Sequence, residues 1–498
     1  MKNNMIRRLF AVSLAAASLL VFTGIAQAAE PAAASGDASL SAGEWTELAA
    51  RYPLYAAAED AADAPSPETL ASWWEALEDD TLTELILLSL KNNRDLQSAR
   101  AKVTEARAAL GISKAAVLPW LDNTDTWTRG KTSENSTGDG KTRNVYRLGL
   151  DASWEIDVFG GQRESIKAGA AALEAQHASL HAAWVTLSSE VALNYLTLRT
   201  LQEQLDIANQ NLALQIDTLD MVESRNKTGL ADELALSQAR YTVEQTRAAI
   251  PPIRASIEQT MNALAILTGN IPGALGEALG EKKSLPKPEG VNLVGIPANY
   301  LRQRPDIRAA ERQLTAQIAR KKSAEKDLLP KFHLIGSIGL ESFSTGSLFS
   351  SDSYGFSIGP RISLPIFHGG AIRNNIRVQS AREEQYLAAY ESAVLTAVAE
   401  VRDALVKNEQ ERLRNVSLKS GVEAAQTALE VATDKYANGL TDFNNVIGVH
   451  RSLLTLQEQY VVSEGQVTSN IVRIFKALGG GWAPLAEENT GGSVSAKP

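Results

Sequence analysis

From Trp184 onward the chain places apolar residues at steps of three and four: Trp184, Leu187, Val191, Tyr195, Leu198, Leu201, Leu205, Ala208, Leu212, Ile216 and Leu219. The mean step is about 3.5, the period of a coiled-coil seam rather than of a helix face on a globular core. The pattern predicts one helix over about 162–227, roughly 100 Å long at 1.5 Å per residue. A weaker seam, Val394, Val398, Val401 and Leu405, lies in a second long helix predicted over about 370–437. No single globular core needs such length. A structure that crosses a wide aqueous gap does.

Two other stretches have period two. Tyr146, Leu148, Leu150, Ala152, Trp154, Ile156 and Val158 alternate with Arg147, Gly149, Asp151, Ser153, Glu155 and Asp157. Tyr354, Phe356, Ile358, Ile362, Leu364 and Ile366 alternate in the same way with residues such as Ser357, Arg361 and Ser363. This fits strands with lipid on one face and a polar lumen on the other. A half-buried strand of a soluble sheet has the same period. Phe332, Leu334, Gly336, Ile338 and Leu340 supply a partner strand. Residues 121–130 are a poorer one, because Asp122, Asn123, Thr124 and Asp125 are polar on both faces. The prediction is two β-hairpins, about 120–158 and 331–367, with polar connections at 131–144 and 344–353. Four strands cannot close a membrane barrel, so several copies must each contribute four. Two copies give eight strands and three give twelve, and the pattern does not choose.

The unit is written twice. Asp95-Leu96-Gln97-Ser98-Ala99 matches Asp306-Ile307-Arg308-Ala309-Ala310, and Leu118-Pro119 matches Leu329-Pro330, both at an offset of 211 residues. Gly229-Leu230-Ala231-Asp232 matches Gly439-Leu440-Thr441-Asp442 at an offset of 210, and Phe159 before Gly160-Gly161 corresponds to Phe367 before Gly369-Gly370. Landmarks in constant order at this spacing indicate duplication, not a short-period solenoid. Each copy predicts a helix (about 82–118, then 299–328), a hairpin, the long helix, a Gly-Leu turn and a further helix (about 232–268, then 442–478). The domain reading is a first repeat at 70–269, a Gly/Pro/Lys-rich linker at 270–297 and a second repeat at 298–482. Residues 29–69 form an N-terminal linker and 483–498 a disordered tail.

Gly229 and Gly439 stand where a helix C-terminus favours the left-handed conformation. Asp232 and Asp442 can cap the helices that follow. Each turn is therefore the tip of a long helical hairpin. Pro251 and Pro252, inside a helix pattern, predict a kink.

The N-terminus reads as a signal peptide over 1–28: Arg7 and Arg8, an apolar run from Leu9 to Ile25, and Ala26-Gln27-Ala28 for cleavage. No later run of about 18 apolar residues offers a spanning helix. The chain has no cysteine, which removes disulfides, thiolate metal sites and a lipid on an N-terminal cysteine. A formal net charge of -9 argues against a nucleic-acid partner. His177 and His181, four apart on a helix, can face one metal ion, but no third ligand is evident. Phosphate-loop, nucleophile-elbow and dinucleotide patterns are missing, so neither catalytic residues nor a cofactor are predicted.

Several segments resemble the TolC/NodT family of outer-membrane efflux proteins. They are Ser72-Trp73-Trp74, Leu90-Lys91-Asn92-Asn93-Arg94-Asp95-Leu96, Ser153-Trp154-Glu155-Ile156-Asp157-Val158-Phe159-Gly160, Ile250-Pro251-Pro252, Leu301-Arg302-Gln303-Arg304-Pro305-Asp306-Ile307 and Leu364-Pro365-Ile366-Phe367. Each is weak alone, and their order over roughly 70–482 is specific. The resemblance implies an α+β fold: four strands per subunit, twelve in a homotrimer, forming an outer-membrane β-barrel continuous with a periplasmic coiled-coil barrel. It implies a passive duct exporting drugs or other small toxic compounds with a periplasmic adaptor and an inner-membrane pump, most often proton-driven. A protein-secretion duct and a soluble periplasmic scaffold are the competing readings. By the same resemblance the adaptor meets the tips, Gly229-Leu230 and Gly439-Leu440. The periplasmic gate falls just after the second tip, with Asp442, Asn445 and Arg451 as candidates. Asn445 and Gly448 stand where the family's acidic residues are expected, so the usual acidic ring is altered here. No lipidated cysteine is present, which leaves the barrel as the anchor.

Overall fold

The computed structural model describes residues 70–135, 140–286 and 299–482. The expected signal peptide, N-terminal linker and tail, and residues 287–298 of the expected inter-repeat linker, lie outside the described residues. A short 3-10 helix, Trp73–Leu77, leads to α1 (Asp80–Asn92) and α2 (Arg94–Ala115). The hairpin β1 (Trp120–Lys131) and β2 (Thr142–Ile156) follows, then α3 (Gly161–Lys227) and α4 (Glu233–Leu267). A one-turn α5 (Gly276–Leu279) and α6 (Asn299–Gln303) lead into the second copy. That copy comprises α7 (Pro305–Lys326), β3 (Lys331–Ser342), β4 (Tyr354–Ser363), α8 (Ala371–Ala437) and α9 (Phe443–Ala477). Equivalent helices have equal lengths: 67 residues for α3 and α8, 35 for α4 and α9, 22 for α2 and α7.

Two predicted helices are each broken near their start. The one expected over 82–118 divides at Asn93, whose backbone is extended (φ -59°, ψ 133°) and whose side chain caps α2 by accepting from the Leu96 N–H at 3.0 Å. The one expected over 299–328 divides at Arg304, because the proline after it disfavours helical ψ there and suits the first position of α7. These breaks let two helices abut end to end. Asn93 Nδ2 donates to the Leu267 carbonyl at the end of α4 (3.0 Å), and Arg304 Nη1 donates to the Ala477 carbonyl at the end of α9 (2.7 Å). Thus α4 and α2 together pack along α3, and α9 and α7 together pack along α8, with α7 and α9 also against α3. By contrast, α4 continues through Pro251 and Pro252, both on its exposed face.

Two clusters hold the helices. The larger lies mid-length, where Trp73 stacks on Phe475 (5.7 Å between centroids) beside Trp74, Trp184, Tyr195 and Leu198. Here α5 docks too: Gln202 Nε2 donates to the Leu279 carbonyl (2.7 Å) and Arg199 Nη1 to the Glu281 carbonyl (2.8 Å). The smaller cluster joins the two tips through Val222, Leu236, Tyr436, Phe443, Val446 and Ile447. The apolar seam predicted on α3 holds in its upper half, where Trp184 to Leu198 are buried. Below Ala208 it drifts. Asn211, Gln215 and Val222 turn inward, and Ile216 is exposed. The reason is a change of neighbours, from α2 and the mid-length core to α4 and α9, together with the mismatch between 3.5 and 3.6 residues per turn.

The strands form one antiparallel sheet in the order β1-β2-β3-β4. Directly opposed residues share a face, so the register sorts every side chain. One face carries Leu148, Leu150 and Trp154 of β2 with Phe332, Leu334 and Ile338 of β3 and Phe356, Ile358 and Ile362 of β4. The other carries Asp122, Arg147, Asp151, Glu155, His333, Glu341 and Arg361. β1 is a regular strand despite its mixed pattern. Its Asn123 and Asp125 oppose Leu150 and Leu148 on the apolar face, where Asn123 Nδ2 donates to Asp125 Oδ2 (3.1 Å).

Candidate functional site

The predicted tip residues come together at the free ends of the two long hairpins. At Lys227, α3 runs out of intrahelical partners, and Gly229 takes φ +75°. Its N–H donates to the Asn226 carbonyl (2.9 Å), and the Leu230 N–H donates to the Arg225 carbonyl (2.8 Å). Gly439 repeats this with φ +75°, and Leu440 donates to the Lys435 carbonyl at 2.8 Å. A side chain at either glycine meets a left-handed backbone that costs L-residues roughly 1–2 kcal/mol. The turns project Leu230 and Leu440 outward, 69% and 76% exposed. Each is a large apolar side chain left in solvent.

Beyond each turn an aspartate starts the next helix. Asp232 accepts from the Ala235 N–H (2.8 Å) and Asp442 from the Asn445 N–H (3.1 Å). Of the gate candidates, Asp442 therefore has one carboxylate oxygen engaged as a cap. Asn445 Nδ2 donates to Thr441 Oγ1 (2.8 Å) within the same turn. Arg451 reaches across to α4, where Nη2 donates to the Tyr241 hydroxyl and the guanidinium lies 5.5 Å from the ring centroid. Two further bridges join the hairpins: Gln238 Nε2 to Asn444 Oδ1 (2.9 Å), and Arg225 Nη1 to the Ala437 carbonyl (3.0 Å). Arg225 also lies over the Tyr436 ring at 4.9 Å. These bridges were not legible in the sequence, since each pairs residues about 210 positions apart with no local signal.

His177 and His181 lie far from the tips, on the upper half of α3. His181 stacks on Trp482 (4.8 Å) and tilts against Trp184 (5.2 Å). Burial, with His177 and Arg308 nearby, pushes its pKa down to about 4. No group of three or more His, Cys, Asp or Glu suited to a metal ion occurs among the described residues.

A four-stranded sheet with one apolar and one polar face, on paired 67-residue helices ending in apolar tips, defines the subunit of an outer-membrane channel. The profile of the Outer membrane efflux protein family matches residues 85–270 and 296–480, and the chain belongs to that family. It is 31% identical over 419 residues to the toluene efflux pump outer membrane protein TtgF of Pseudomonas putida, covering 84% of this chain and 87% of that one. It is likewise 31% identical over 413 residues to the cation efflux system protein CusC of Escherichia coli, covering 83% and 88%. Its structure superposes on that of the outer-membrane channel OprN with a TM-score of 0.80, at 33% identity and 83% and 93% coverage. The protein is an outer-membrane component of an efflux system.

Proposed function

We propose that three copies assemble into a passive duct, each giving four strands to a twelve-stranded outer-membrane barrel and two long hairpins to a periplasmic tunnel. The observation that carries this is the sheet. Its apolar face suits lipid, its opposite face suits water, and β1 and β4 are edges that lipid cannot satisfy. Pairing β4 of one copy with β1 of the next removes both edges. The number three comes from the family resemblance.

The duct works with a periplasmic adaptor and an inner-membrane pump, the latter proton-driven. Leu230 and Leu440 are the adaptor contacts. Asp442, Asn445 and Arg451 form the gate region, where Arg451 acts by holding α9 to Tyr241 of α4. The cargo is a small toxic compound. Relatives of equal identity are named for toluene and for cation efflux, so similarity alone does not choose the cargo. Those names favour small-molecule export over protein secretion. Replacing Leu230 and Leu440 together with Asp is expected to abolish resistance conferred by the complete system while the assembly stays intact in the outer membrane. Full resistance in that variant contradicts the docking role.

A further inference from the structure

The register of the sheet sets the height of every side chain on its apolar face. On β2, Tyr146 and Ile156 lie ten residues apart on that face, about 34 Å along the strand at 3.4 Å per residue. At the tilt of roughly 40° common in membrane barrels this covers about 25 Å of height, the thickness of a lipid-facing apolar band. Aromatic rings mark both limits. At the helix end Phe332 opposes Ile156 and packs against Phe159, 6.2 Å between centroids. At the loop end exposed Trp127 opposes Tyr146 and stacks on it at 6.5 Å. Such rings favour the boundary between hydrocarbon and water.

One step beyond Trp127, the same face of β1 carries Arg129 and then Lys131, opposite Asn144 and Thr142. Both are exposed. They are the only Lys or Arg that the register places on this face, and the other limit, at Ile156, Phe332 and Ile362, carries none. Asp125, the one acid that the register places there, accepts from Asn123 at 3.1 Å. It lies roughly 13 Å along the strand from Arg129, too far to neutralise it. Arg129 and Lys131 are two residues apart, so their Cα atoms stand about 7 Å from one another and both side chains reach one small anion. A guanidinium holds two phosphate oxygens as a planar fork, and an ammonium adds a point charge.

We propose that Arg129 and Lys131 seat the phosphomonoester of an outer-leaflet lipid headgroup, one site per subunit, with the acyl chains against Trp127 and Leu148. This rests on the barrel reading above and adds its lipid partner. The helices leave the sheet at its other end, so the loop end is the outward one. A phosphomonoester carries up to two negative charges and matches two cations; a phosphodiester headgroup carries one. Pairing of the β1 edge with the next copy uses backbone groups in the plane of the sheet and leaves both side chains facing lipid.

Native mass spectrometry of the purified channel, released from phosphatidylethanolamine nanodiscs doped with bis-phosphorylated lipid A, reads the bound lipid. Retention of lipid A in preference to its dephosphorylated form is expected. Arg129→Gln combined with Lys131→Gln is expected to weaken it about thirtyfold, roughly 1 kcal/mol for each cation. Each single change should cost about fivefold, and the single variants carry the comparison if the double one does not assemble. Arg361→Gln, which removes a cation from the opposite face, should leave retention unchanged. Planar-bilayer conductance of the same preparations separates two failures. Conducting channels that hold both forms of lipid A alike, or that lose it equally in Arg361→Gln, overturn the lipid site and leave the barrel standing. A wild type that inserts no channels overturns both. Displacement of lipid A by inorganic phosphate also overturns the proposal, reducing the pair to a simple anion site.

Discussion

Arg304 donates from Nη1 to the carbonyl oxygen of Ala477 across 2.7 Å, fastening the start of α7 to the end of α9. The same guanidinium holds Asp306 and Glu400, each at 2.7 Å from Nη2, and is itself buried. Asn93 performs the equivalent task in the first copy with a single bond to Leu267. The second junction is therefore the more electrostatic of the two. Arg304→Met is expected to lower unfolding stability by about 2–4 kcal/mol, because it strands a buried carbonyl and unpairs two half-exposed carboxylates. Arg304→Lys should rescue only part, since an ammonium cannot span three acceptors in a planar fork. Thermal unfolding of the purified protein reads both.

The same junction gives a pH signature. Burial alone would raise the Asp306 carboxyl, but the Arg304 hydrogen bond and charge outweigh it and hold the pKa below the ordinary 3.8. The contribution is thus complete above the unfolded value and disappears as pH falls below about 3.8 through the folded value. Asp306→Asn should remove that acid-dependent component.

His181 predicts a separate window. Its folded pKa of about 4 lies below the ordinary 6.5, so the unfolded chain binds more protons between these values. Stability should fall as pH drops from 6.5 to 4, and His181→Phe, which preserves stacking on Trp482, should flatten that interval. A titration of the unfolding midpoint against pH checks it. An unchanged slope in the variant rules out His181 as the source.

Asp442 can act as a helix cap and as a gate charge, and two substitutions separate the roles. Asp442→Asn keeps an N-cap acceptor and removes the charge, so stability should hold. Asp442→Ala should lose about 1 kcal/mol from the start of α9. A gating role requires channel conductance to rise in both variants. A change in stability alone, restricted to the alanine variant, assigns Asp442 to capping.

Asn123 and Asp125 interrupt the apolar face of the sheet beside Leu150 and Leu148. If that face meets lipid, Asn123→Val with Asp125→Leu should insert into the outer membrane normally and raise the thermal midpoint. Loss of assembly would show that this stretch of β1 faces water or protein instead.

The sequence announced its elements unevenly, for physical reasons. The first long helix was legible because its apolar seam runs over many turns, the second through a shorter seam at the equivalent place in the repeat, and the tips because Gly-Leu-x-Asp recurs at a fixed offset. The breaks at Asn93 and Arg304 carried local signals, a capping asparagine and a residue before proline, but helical periodicity on both sides masked them. β1 was ambiguous because Asn123 and Asp125 spoil its alternation, and only pairing with β2 assigns its faces. The inward turn of Gln215, the burial of His450 and the bridge from Arg451 to Tyr241 depend on how two hairpins meet. Local patterning carries no information about that. In particular, the sequence placed Ile216 in the seam where the fold buries Gln215.

The central claim is a trimeric duct with a membrane barrel. The most direct measurement is planar-bilayer conductance of the purified protein, with native mass determined on the same preparation. Three copies and stepwise channel openings, enlarged when the tip bridge is cut by Arg451→Ala, are the predicted result. A folded, monomeric protein that inserts no channels, in wild type and in Arg451→Ala alike, would contradict it.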